Sequence, residues 1–179
     1  MAILSIPEKS VTIHDTLEIR TFLNEKGVFF DQWNCDVEFD DNATQEQILN
    51  AYQSDLQPFM EKGGYLTADV ISINHLTENY DAIRAKFISE HTHSEDEIRF
   101  FVDGKGLFWF HLDNEPIFNL LCEKGDLISV PAGTKHWFDA GEMNPFVKAI
   151  RIFIDTSGWI PEYTDSGVEK LFVDFEMPR

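Results

Sequence analysis

The sequence predicts a mainly β fold, a closed antiparallel β-barrel or sandwich with α-helices from the N-terminal region packed onto it. Three observations carry the prediction. Residues 1–90 contain helix-period stretches separated by short extended ones. From residue 91 the helical period disappears, and short apolar runs follow one another. Turn-forming groups divide several of those runs: Asp103-Gly104-Lys105-Gly106, Asp113-Asn114 and Glu123-Lys124-Gly125-Asp126. Short strands joined by such turns suit a barrel or sandwich, not a parallel sheet.

In chain order, residues 1–14 read as a strand and a loop. Residues 15–26 read as a helix. Leu17, Ile19, Phe22 and Leu23 share one face, Asp15 caps its start and Gly27 stops it. Residues 28–33 form a strand, and 36–42 an acidic loop. Thr44 caps the next helix, with Gln47 at the capping-box position. Ile48, Tyr52, Leu56 and Phe59 recur along it, and Lys62-Gly63-Gly64 ends it. Residues 65–74 are extended. A third helix over 78–90 turns Ile83, Phe87 and Ile88 toward a sheet and delivers the chain to His91. Strands follow at 97–102, 106–111, 117–122, 126–130, 136–138 and 146–154. The tail is anchored by Trp159, Ile160, Tyr163 and Phe172, and its end, Glu176-Met177-Pro178-Arg179, is loose. No repeat or low-complexity linker divides the chain. It reads as one domain over 1–179: a helical region about 1–90, a barrel region about 91–156 and a packed tail about 157–179.

Composition narrows the function. With 43% hydrophobic residues, 16 phenylalanines and four tryptophans, the chain can bury a substantial core. Its net charge of -18 repels nucleic acid and anionic membrane surfaces. No run has the length of a membrane span, and the start lacks a basic stretch followed by a long apolar one, so no secretory signal is expected. Cys35 and Cys122 form no CxxC pair, so two reduced thiols in a reducing cytoplasm are the simplest reading.

The chemistry gathers at His91-Thr92-His93-Ser94-Glu95-Asp96-Glu97. On an extended chain, His91, His93, Glu97 and Arg99 have the parity to project together. Pro131-Ala132-Gly133-Thr134-Lys135-His136 offers a further imidazole, His136. Three neutral imidazoles and a carboxylate suit a divalent transition metal. An octahedral ion would keep two positions open for a bidentate oxygen ligand or dioxygen, whereas a tetrahedral zinc would be filled. In so acidic a chain, an anionic substrate needs local positive charge. Arg99 lies two residues beyond Glu97. Arg151, in Lys148-Ala149-Ile150-Arg151-Ile152-Phe153, shares a face with Ala149 and Phe153 and needs an anionic partner if it points inward.

His91-x-His93-xxx-Glu97-xxxxxx-Gly104 resembles the first cupin motif, and Gly125-xxxxx-Pro131-x-Gly133-xx-His136 most of the second. Ala140 stands where the cupin pattern has asparagine, a departure that leaves the four ligand positions intact. A longer set is similar to the acireductone dioxygenases of that superfamily. It comprises the stretch from Glu90 to Val102, Asp113-Asn114, the stretch from Leu121 to Pro131, His136-Trp137-Phe138-Asp139 and Ala149-Ile150-Arg151-Ile152-Phe153. The resemblance implies a cupin-type antiparallel β-barrel (jelly-roll). It also implies one Fe(II) or Ni(II) per chain on His91, His93, Glu97 and His136. Arg99 and Arg151 would serve substrate deprotonation or orientation and active-site structure, Asp96 would support metal acquisition, and Phe100, Phe138 and Trp159 would wall the substrate side chain.

By the same resemblance, the chain is a compact monomer that cleaves 1,2-dihydroxy-3-keto-5-methylthiopentene with dioxygen in methionine salvage. Iron would give 4-methylthio-2-oxobutanoate and formate. Nickel would give 3-methylthiopropionate, formate and carbon monoxide. The alternatives are another cupin dioxygenase acting on a diketone or polyphenol, and a metal-dependent small-molecule binder without turnover. Oxygen uptake with acireductone separates them.

Overall fold

In the computed structural model, which describes residues 1–40, 42–155 and 158–173, Asp15 caps the first helix as its sequence requires. Its side chain accepts from Leu17 N and Glu18 N, and the helix, α1 (Thr16–Glu25), buries Ile19 and Leu23. Leu17 stays exposed. Before it run β1 (Ile3–Ile6), a 3-10 turn (Pro7–Lys9) and β2 (Val11–Ile13); after it comes β3 (Phe29–Gln32). The capping box of Thr44 and Gln47 is present. The single helix expected there is two, α2 (Gln45–Ala51) and α3 (Gln53–Gly63). They meet at Tyr52, whose buried ring packs on Phe100 and whose hydroxyl lies 3.0 Å from Cys35 Sγ.

Next come β4 (Thr67–Ile73), α4 (Tyr80–Phe87), β5 (His91–Thr92), β6 (Glu97–Phe110), β7 (Phe118–Glu123), β8 (Asp126–Val130), β9 (His136–Asp139), β10 (Val147–Phe153) and β11 (Glu162–Tyr163), then a 3-10 turn (Val168–Phe172). No described helix is long and apolar enough to cross a membrane. Parts of the expected acidic loop and tail, at 41, 156–157 and 174–179, lie outside the described residues, as does the expected loose end at 176–179.

The expected mainly β, closed cupin-type jelly-roll barrel is corrected by the pairing. The molecule is mixed α/β, and the eleven strands among the described residues form an open, branched sheet. One arm runs β11-β5-β9-β6-β7-β1-β2, and the other runs β4-β10-β6-β8-β3. No ladder among the described residues joins β11 to β2 or β4 to β3, so neither arm closes. The physical reason lies toward the end of the first arm. The edge strand β11 and its neighbour β5 have two residues each, too few to carry a continuous wall. Instead of another strand, α2 covers part of β4, whose Val70 N donates to the Gln45 side chain.

The long β6 joins the arms. Sequence turn signals predict two strands with a turn at 103–106, but the chain continues as one strand through Gly104. Residues 97–104 pair with β8 and β10, and residues 105–110 with β7 and β9. The ladder to β10 shifts register beside Ala149, and Gly104 adopts φ +70° with Phe146 O where a Cβ would stand. The irregularity reverses the strand's inside and outside. Phe101 before it, and Phe108 and Phe110 after it, all enter the core between the arms. Ile98, Phe100 and Val102 instead pack beneath α2 and α3 with Ile48, Tyr52 and Leu56. Leu107 and Trp109 lie on the far side with Leu121, Trp137 and Phe172.

Candidate metal centre

Local sequence aims three imidazoles at one point. His91 lies on β5, His93 just after it, and His136 opens β9, directly opposite His91 in the ladder. Each ring is fixed through Nδ1 to a backbone carbonyl: His91 to Ser89 O (2.7 Å), His93 to Ile160 O (3.1 Å) and His136 to Thr134 O (2.8 Å). A carbonyl only accepts, so each Nδ1 carries a proton, which leaves Nε2 as the ring atom free to take a metal. Glu97, the first residue of β6, joins them. Its Oε2 lies 2.9 Å from His93 Nε2 and 3.2 Å from His136 Nε2. One ligand atom from each of the four buried residues falls within 4.8 Å of the others.

This donor set fits a divalent cation. The Nε2 atoms of His93 and His136 stand at hydrogen-bond distance from the Glu97 carboxylate oxygen, and a divalent ion among them would take up all of these donor atoms at once. Electrostatics prepares the donors. Burial, reinforced by His136, pushes the His91 imidazole down to about 4, so it is neutral at pH 7. Burial alone would raise the Glu97 carboxyl. Arg99 and the neighbouring His136 and His93 outweigh it and hold Glu97 well below the usual carboxylate range. The Nδ1–carbonyl bonds are the outer partners that orient metal-binding imidazoles.

Arg99 is as buried as the ligands. Its Nε lies 2.8 Å from Glu97 Oε1, a contact ion pair without hydrogen-bond alignment. Burial pushes the guanidinium's pKa down, with Glu97 opposing, but so strong a base keeps its proton. Aromatic rings surround it: Phe138 at 4.3 Å, Phe108 and Trp159 at 5.5 Å and Phe87 at 5.9 Å. Such ring faces offset part of the cost of burying a cation. Phe87, read from the sequence only as helix packing, therefore reaches this centre from α4.

The other expected site residues separate. Arg151 is only partly buried and makes a bidentate pair with Asp69 at 2.7 and 2.6 Å. Asp69 is the partner that sequence reasoning required but did not find; its one signal was a carboxylate inside the apolar run of β4. Asp96 is not among the four clustered ligand residues and braces the surrounding loops. It accepts from Ala132 N (3.0 Å) and Tyr65 Oη (3.2 Å), and its carbonyl accepts from Trp159 Nε1 (3.0 Å). Phe138 and Trp159 lie at the centre. Phe100 does not: alternation along β6 places it on the opposite face from Glu97 and Arg99, against Tyr52 (4.9 Å) and Trp33 (5.0 Å).

The model of the ARD/ARD' family matches residues 8–161. Acireductone dioxygenase of Picosynechococcus sp. is 55% identical over 96% of this chain and 97% of its own length. That of Pseudomonas fluorescens is 45% identical over 96% and 92%. A solved Bacillus anthracis structure, described as acireductone dioxygenase with cadmium ion in the active center, superposes with a TM-score of 0.82. It is 33% identical and is matched over 91% of this chain and 98% of that one. The chain belongs to the ARD/ARD' family, the acireductone dioxygenases of the cupin superfamily.

Proposed function

We propose that the chain is the dioxygenase of methionine salvage that cleaves 1,2-dihydroxy-3-keto-5-methylthiopentene, with one Fe(II) or Ni(II) held by His91, His93, Glu97 and His136. The observation that carries this reading is the convergence of three imidazoles and a carboxylate, each imidazole fixed through Nδ1. A bound divalent ion would supply charge stabilisation and a fixed position for the substrate oxygens.

The protein's own groups do the rest. Arg99, beside Glu97, lowers the cost of bringing an ionised enediol into a buried site. It does not act as the base, because a guanidinium keeps its proton. Arg151 orients the substrate from farther out. Asp96 steadies the loops that carry the ligands. Phe138 and Trp159 wall the methylthio side chain and exclude water.

Iron would then give 4-methylthio-2-oxobutanoate and formate. Nickel would give 3-methylthiopropionate, formate and carbon monoxide. Residues 1–179 act as one unit and as a monomer in a reducing cytoplasm. Pairing of N-terminal β4 with β10 supports the single unit, and native mass measurement tests the monomer. The reaction is tested by anaerobic reconstitution with each metal, followed by oxygen uptake and product analysis. Substrate binding at full metal occupancy without oxygen uptake overturns it.

A further inference from the structure

Two arginines stand side by side at the edge of this centre. Arg151 is the direct ladder partner of Arg99 on one side and of Asp69 on the other. The three side chains therefore form one row across β4, β10 and β6, on the face that carries Glu97. Like charges in direct opposition destabilise a sheet. Here each guanidinium has its own carboxylate: Asp69 grips Arg151 at 2.7 and 2.6 Å, and Glu97 lies 2.8 Å from Arg99. Trp159 stands near both, with its ring 5.5 Å from the Arg99 guanidinium and 5.7 Å from that of Arg151.

The row has a charge consequence. The two carboxylates cancel the two guanidiniums, and imidazoles that hold a metal through Nε2 add no charge. Only the charge of a bound divalent cation remains to be matched, and a doubly ionised enediol matches it. Without Asp69, an uncompensated cation would stand beside Arg99. The acidic surface of the protein would not replace that carboxylate, because exposed charges are screened within about 10 Å at 0.1 M salt.

We infer that Asp69 is a positioning residue that holds Arg151 and sets the charge to which the substrate site is matched. This rests on the function proposed above. Asp69 touches neither the ligand cluster nor, by this reading, the substrate; it acts through Arg151.

The test uses the full-length nickel-loaded protein. Calorimetric titration with acireductone under anaerobic conditions gives Kd, and oxygen uptake gives KM and kcat. Metal content and melting temperature are recorded for each variant. Asp69→Asn should bind the ionised enediol about fivefold more tightly and lower KM by a similar factor at unchanged metal content. Asp69→Glu should return Kd to the wild-type value. A structural brace alone would lower the melting temperature and leave Kd unchanged. That result, or weaker binding in Asp69→Asn, overturns the inference. Absence of oxygen uptake by the wild-type protein instead sinks the proposed function, and this inference with it.

Discussion

His91 and His136, distant in sequence, are direct partners in the β5–β9 ladder, with their rings 4.6 Å apart. Neither imidazole therefore depends on a flexible loop to find the other. His91→Ala or His136→Ala should reduce metal affinity by more than ~100-fold, since losing even an outer partner costs ~10- to 100-fold. Activity should fall with it. Metal analysis after dialysis checks this, and wild-type occupancy in either variant would remove that residue from the ligand set.

Arg99→Ala should reduce turnover more than metal content. It also strands Glu97 as a buried carboxylate beside no cation. A loss of roughly 3 kcal/mol in the unfolding free energy of the metal-free protein is expected. Denaturant titration and turnover per bound metal measure the two effects separately. Wild-type turnover at equal occupancy would dismiss Arg99 from the chemistry.

Phe100→Ala should behave oppositely. Phe100 packs with Tyr52 and Trp33 beneath the helices, so truncation should cost about 3–5 kcal/mol of stability. The folded fraction should keep its KM. An increase in KM beyond twofold at full folding would return Phe100 to the substrate wall.

Asp126 carries a pH dependence remote from the ligands. Burial raises its pKa and outweighs hydrogen bonds from Gln32 Nε2 and Glu123 N. Folding therefore favours its protonated form. The resulting stability is fully present below the unfolded value of about 3.9 and is lost as pH rises through the folded one. Asp126→Asn keeps an acceptor for Glu123 N and removes the charge. The variant should melt higher than the wild type near pH 7 and lose that advantage below pH 4. An equal difference at both pH values would show that ionisation of Asp126 is not the cause.

Local signals were legible in the sequence. The Asp15 cap, the Thr44–Gln47 capping box and the spacing of His91, His93 and Glu97 each act within a few residues. What was not legible depends on partners far along the chain. Closure or openness of the sheet turns on whether its edge strands find one another, and the edge strand β11 and its neighbour β5 are too short to announce themselves. Gly104 looked like a hairpin turn because a positive φ serves a turn and an in-strand irregularity equally well. Parity placed Arg99 beside Glu97 correctly. The same alternation, followed strictly, puts Phe100 on the other face, where the observed packing has it. Asp69 could not be paired with Arg151 without the register of β4 against β10.

The strand shared by both arms also bears on the order in which this protein is made. Among the described residues, all four ladders of β6 are to strands that follow it in the chain: β7, β8, β9 and β10. During synthesis from the N-terminus, His91, His93 and Glu97 therefore emerge before any strand exists to fix β6. His136 arrives on β9, and β10 later still. Metal selection thus belongs to a nearly finished chain. A ribosome-arrested fragment ending at residue 125 would carry three of the four ligands, yet have no centre in which to discriminate one ion from another.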